Sequence, residues 1–157
     1  MEQERINSTN RNLITAFIEQ HWYTTTMILR GKEIDMTKAE GFFFRKGETI
    51  IGLVTYIIHD SILEIISLDS MLENQGIGSK LIEAVICEAK EQEVKKIVVI
   101  TTNDNINAIR FYQKRGFDMA HLFHNAMDIS RKLKPEIPLI GENSIPLRHE
   151  IEFELFL

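Results

Sequence analysis

The feature that most narrows what this chain can fold into is a change of hydrophobic period at Gly76. Before it lie three runs rich in β-branched and aromatic residues, "GFFFRK" (41–46), "TIIGLVTYIIH" (49–59) and "SILEIISLDS" (61–70). The turn-prone pairs Lys46-Gly47 and Asp60-Ser61 separate them, which predicts an antiparallel meander. From Gly76 onward, Ile77, Leu81, Ile82, Val85, Ile86 and Ala89 recur at helical spacing with Lys80, Glu83, Cys87 and Lys90 opposite, an amphipathic helix to about Glu93. "VKKIVVITT" (94–102) then reads as a strand buried in the middle of a sheet. Asn103, Asp104 and Asn105 offer capping side chains to a short helix from about Ile106 to Arg115, stopped at Gly116.

The flanks are less regular. "NLITAFIEQH" (12–21) has the spacing of one helical face, and Trp22 to Arg30 looks extended toward its end, where Gly31 breaks it. Phe117 to Phe123 reads as a strand, Asn125 to Leu133 as a short helix, and "HEIEFELF" (149–156) as a last strand of strict alternation. Lys134 to Arg148 holds all three prolines and reads as a loop long enough to be functional. The order of elements predicts a single α/β domain over 1–157, with three layers and a mixed, mostly antiparallel sheet flanked by helices.

Composition excludes several classes. With 44% apolar and 26% charged residues the chain belongs with ordinary globular proteins, and no apolar run reaches the roughly 18 residues of a membrane span. A net charge of −5 argues against a nucleic-acid partner, whose phosphates call for clustered Lys and Arg. The single cysteine, Cys87, cannot form an internal disulfide, and we expect a cytoplasmic protein without a membrane partner. The histidines show no metal-ligand spacing, so no metal is expected.

"ENQGIGSKLI" (73–82) places two glycines where a strand hands over to a helix. Unpaired amides and the positive end of the helix dipole make such a turn suitable for phosphate, although glycines there also serve a tight turn alone. A Walker loop requires GxxxxGK[ST], and no glycine stands at the required distance before Lys80. A dinucleotide fingerprint requires a third glycine where Leu81 stands. Downstream, Asn105 and Tyr112 are seven residues apart, nearly two turns, and project from one helical face with Ile109 between them.

With "QGIGSKLI" at 75–82 and Asn105, Ala108, Phe111, Tyr112, Gly116 and Phe117 after the buried strand, the stretch from about Gly41 to Phe123 resembles the GNAT superfamily of N-acetyltransferases. The C-terminal segment is similar to a sub-group of uncharacterised bacterial members. The resemblance implies that acetyl-coenzyme A sets its pyrophosphate on the amides of Gln75, Gly76, Ile77, Gly78 and Ser79 and its pantetheine arm along the strand near Leu68. Asn105, with Asn107 assisting, would contact the same arm. Tyr112 matches the family tyrosine beside the thioester sulfur. Where the family usually has Arg or Gln, three places before the first glycine, this chain has Glu73, which would weaken pyrophosphate binding unless it turns to solvent.

Acetyl transfer requires a neutral amine, a polarised thioester carbonyl and a proton for the leaving thiolate. Tyr112 suits the last, since a phenol with an ordinary pKa of about 10 stays protonated at neutral pH. Backbone N–H near Leu68 would hold the carbonyl oxygen. For the base we expect Glu64, placed by simple alternation on the side of Ile66 and Leu68. Cys87, on the polar helix face, is expected to be incidental. Selectivity for a small-molecule or peptide amine is expected from Trp22, Tyr23, Arg30 and the loop 134–148, with Arg30 and Arg148 as a candidate carboxylate clamp. The terminal strand could pair with a second copy, giving a homodimer, if it lies at an edge. A non-catalytic acyl-CoA sensor on the same fold is the competing reading.

Overall fold

The computed structural model describes residues 2–72 and 75–157; Glu73 and Asn74 lie outside them. The chain is a mixed α/β fold with a mostly antiparallel seven-stranded sheet and four helices, as the sequence predicts. It divides into two compact units, one made of Met1–Met27, Asp35–Ile97 and Leu157, the other of Ile28–Ile34 and Val98–Phe156.

In the first unit the strands are β1 (Glu2–Arg5), β4 (Glu40–Lys46), β5 (Thr49–His59) and β6 (Ile62–Ser70), in the order β1-β4-β5-β6, with helices α1 (Arg11–Trp22) and α2 (Ile77–Glu91). A small separate sheet, most of it in the second unit, pairs β2 (Thr26–Leu29) with β3 (Lys32–Asp35). The β5–β6 hairpin turns on Asp60 and Ser61, both at positive φ (49° and 62°), the twist a two-residue hairpin needs. Helix α2 lies directly on β5, where a Cβ on Gly52 would meet Ile77 Cγ2 at 2.4 Å and Leu81 Cδ1 at 3.2 Å.

β1, which the period of the sequence does not reveal, is an exposed polar edge strand paired antiparallel with β4. Its charges fix it. Arg45 grips Glu4 through Nε and Nη2 at 2.7 and 2.9 Å, and Arg5 donates to the buried Glu88 of α2 at 2.6 Å while its guanidinium sits 4.8 Å from the Phe42 ring centroid. The hydrogen bond from Arg5 holds the Glu88 carboxyl below its usual range, and burial pushes the neighbouring Tyr56 phenol up to about 12.

The second unit contains most of β7 (Lys96–Thr102), then α3 (Ile106–Lys114), β8 (Asp118–Phe123), α4 (Ala126–Leu133) and β9 (Glu150–Phe156), with strands in the order β7-β9-β8. The terminal strand β9 is therefore not at an edge, which corrects the expectation that it could pair with a second copy; β8 lies outside it. The chain returns from α4 through the long loop to a position beside β7, and the backbone of that loop is held by side chains. Asn103 Oδ1 accepts from the N–H of Arg148 and of His149, each at 2.9 Å, and its Nδ2 donates to Pro146 at 2.9 Å. The buried Asp104 carboxylate accepts from Thr102 Oγ1 and from the Glu142 N–H at 2.8 Å, and Arg131 donates to the carbonyls of Pro138 and Leu147. These bonds satisfy backbone groups that a proline-rich loop cannot pair for itself.

Two stability predictions follow from these contacts. Asp104→Ala leaves the Glu142 N–H and the Thr102 hydroxyl without their acceptor and is expected to cost about 2 kcal/mol in urea unfolding, with new proteolytic cleavage within 134–148. His149 Nδ1 accepts from the Asn125 N–H at 2.8 Å, which needs a neutral ring nitrogen; burial, and then His124 and Arg148, lower its pKa from the ordinary value. Because the folded form resists the proton that the unfolded chain accepts, stability is full above about pH 6.5 and falls as pH drops through it. The melting temperature should decline between pH 7.5 and 5.5, with a shallower slope in His149→Gln.

Candidate active site

The glycine turn is built as a helix start on a left-handed glycine. Gly76 adopts the left-handed conformation (φ 71°), its chain neighbours apart no described residue comes within 4 Å of where its Cβ would be, and α2 begins at Ile77 with no side-chain cap among the described residues. The first turn of α2 contains no acidic residue, and its first intrahelical bond runs from Lys80 N–H to the Gly76 carbonyl at 3.0 Å. The preceding amides of a helix have no intrahelical acceptor, so they and the helix dipole favour an anion. Gln75 and Gly76 are exposed, Gly78 and Ser79 half-buried, and Ile77 is anchored in the core. Glu73, expected to bear on this turn, lies outside the described residues.

In β6 the structure corrects the alternation read from the sequence. The register with β5 pairs Val54 with Leu68 and Thr55 with Ser67, then shifts so that Tyr56 faces Ile65 and Ile57 faces Glu64, leaving Ile66 as an extra residue. Directly paired residues share a face, and Val54 and Ile57 are an odd number apart, so Leu68 and Glu64 lie on opposite faces rather than one. Glu64 instead shares its face with Ser67, whose hydroxyl is 2.6 Å from that of Thr55, and with Asp69. Glu64 is 1% exposed, and its Oε1 lies 3.6 Å from His59 Nε2; Leu68 is half-buried.

Trp22, expected to help select the acceptor, donates its indole N–H to Asp69 Oδ2 at 3.1 Å. Burial pushes the Asp69 carboxyl up from the ordinary range, and the indole hydrogen bond works against that. Asp69 is a polar residue the sequence reading did not single out, since no spacing rule links positions 22 and 69. Cys87 is exposed, as expected, and lines a surface cleft of about 660 Å³ with Arg5, Phe42, Lys80 and Glu83.

In the second unit, Asn105 is the N-cap of α3, its side-chain oxygen accepting from the Ala108 N–H at 3.1 Å, so a ligand would meet its NH2 group. Asn107 is exposed on the first turn. Tyr112 is 6% exposed, its ring 5.3, 5.6 and 5.8 Å from those of Phe111, Phe117 and Phe153. Arg30 and Arg148 have separate partners: Arg30 pairs with Glu152 at 3.4 Å and Arg148 reaches Asn125 Oδ1 at 3.5 Å.

Residues 8–117 match the model of the acetyltransferase (GNAT) family. The uncharacterized protein YdhI of Bacillus subtilis (strain 168) is 45% identical over 148 residues, covering 94% of this chain and 92% of that protein, and YxbD of the same organism is 43% identical over 142 residues, covering 90% and 89%. A GNAT family acetyltransferase from Elizabethkingia anophelis, crystallised with acetyl-CoA bound, superposes with a TM-score of 0.70 at 24% identity, over 99% of this chain and 97% of that one, which shows the fold. From the matched residues and the close relatives together, the chain belongs to the GNAT family of acetyltransferases.

Proposed function

We infer that this protein moves the acetyl group of acetyl-CoA to a primary amine, on a small molecule or a peptide, by direct attack within a ternary complex. The observation that carries this reading is the start of α2: an exposed left-handed glycine leading into a first turn with no acidic residue, within the stretch that matches the family. The acetyl-CoA held by the Elizabethkingia anophelis neighbour supports the choice of donor.

The residues take the following roles. Amides of Gln75, Gly76, Ile77, Gly78 and Ser79 receive the pyrophosphate. The backbone at Leu68 holds the thioester carbonyl, where N–H donors stabilise the developing oxyanion. Asn105 and Asn107 contact the pantetheine arm. Glu64 takes the proton of the incoming ammonium, and Tyr112 donates one to the departing thiolate, recovering it from the nitrogen as the amide forms. Trp22 and the loop 134–148 contribute to acceptor selectivity.

A second reading, a non-catalytic acyl-CoA sensor, is favoured by the packing of Tyr112, whose ring contacts with Phe111, Phe117 and Phe153 are also those of a core tyrosine. The two separate in one experiment, thiol release from acetyl-CoA across a panel of amines alongside calorimetric binding. Release with at least one amine is expected; binding with silence across the panel assigns the sensor. Tyr112→Phe is expected to lower kcat about 100-fold while leaving acetyl-CoA affinity unchanged.

A further inference from the structure

An ammonium acceptor yields an amide and one net proton per turnover, and that proton has to leave a carboxylate that solvent does not reach. Glu64 is 1% exposed. Its Oε1 is 3.6 Å from Nε2 of His59, an ion-pair distance that a small rotation of the imidazole would close to a hydrogen bond. His59 is 44% exposed at the end of β5, and its other ring nitrogen, Nδ1, lies 3.8 Å from the carboxylate of Asp60, which is 95% exposed.

The register explains why these groups meet. Glu64 pairs with Ile57, and His59 lies two residues beyond Ile57 on the same face, which makes them diagonal neighbours across the hairpin. The positive φ of Asp60 and Ser61 turns the chain tightly enough to leave the imidazole at the open end. On this face the titratable groups run from Asp60 and His59 through Glu64 to Asp69, with the Thr55–Ser67 hydroxyl pair between the last two. An imidazole can accept at one nitrogen while it donates at the other, so a His bridging a buried carboxylate and an exposed one is equipped to pass a proton outward.

We propose that His59 carries the proton from Glu64 to solvent, a positioning residue for proton release that rests on the reading of Glu64 as the base. In the first step an N–H bond of the ammonium breaks and an O–H bond forms on Glu64. That O–H then breaks as an N–H forms at His59 Nε2, and the Nδ1 proton passes to water or buffer beside Asp60. Exchange with solvent returns the imidazole to its starting tautomer. Charge and atoms balance, with one proton released for each acetyl group transferred.

The test uses the full chain with acetyl-CoA and the best amine of the panel. His59→Ala truncates an exposed side chain, and calorimetric acetyl-CoA binding checks that the variant is folded. In dilute buffer its kcat is expected to fall at least about tenfold with KM for acetyl-CoA unchanged, and added imidazole should restore the rate. Glu64→Gln alone and the H59A/E64Q pair are expected to be equally slow, because both residues serve one path. A His59→Ala enzyme as fast as the parent, or a loss that imidazole fails to rescue, would overturn the relay while the transferase reading stands. A parent protein that transfers acetyl to no amine removes the reaction and the relay together.

Discussion

One extra residue in β6 decides what the first unit can do. Ile66 has no partner of its own in the β5 register, and the shift it causes turns the two halves of the strand over relative to each other. Leu68 thereby shares the face of Val54, the side on which α2 packs over Gly52. Glu64, Ser67 and Asp69 take the other face, where the indole of Trp22 at the end of α1 reaches across. Between Glu64 and Asp69 the strand separates an apolar surface from a line of polar groups. A regular strand would have mixed them, and the acids would have competed with the helix for the same side.

The sequence made most elements legible because their burial imposes a period. The three runs at 41–46, 49–59 and 61–70 correspond to β4, β5 and β6, and the helical repeat from Ile77 to Ala89 lies within α2, because each has at least one face in the core. β1 and β3 escaped for the complementary reason. "EQER" and "KEID" carry almost no apolar signal, and they are strands by virtue of backbone pairing and, for β1, the grips of Arg45 on Glu4 and of Arg5 on Glu88. Within the candidate site the glycine turn and the Asn105 cap were readable as local chemistry. The face of Glu64 was not, because the shift at Ile66 falls on an ordinary apolar residue with no glycine to announce it. Nor was the Trp22–Asp69 bond, since no periodicity relates residues 47 positions apart.

Asn103, Asp104 and Asn105 show how one polar triplet serves three ends. The sequence offers all three as caps, yet only Asn105 caps α3, while Asn103 binds the chain at 146–149 and Asp104 binds it at Glu142. The same few residues thus start a helix and fasten the return of a long loop. A side chain chosen for its capacity to mimic backbone hydrogen bonding is equally suited to completing the bonding of a remote segment. Gly141 fits the same joint, since a Cβ there would lie 2.1 Å from Asp104 Oδ2.

The bare contact at Gly52 has a mechanical consequence for the N-terminal end of α2. Ile77, the first residue of that helix, sets its side chain against the bare backbone of β5 at Gly52, so the helix origin is held by close packing on the sheet. Gly76 beside it is exposed, with open space where a Cβ would stand. The turn therefore resembles a pin with one end set in a wall: its base is packed against the sheet while its tip stays accessible.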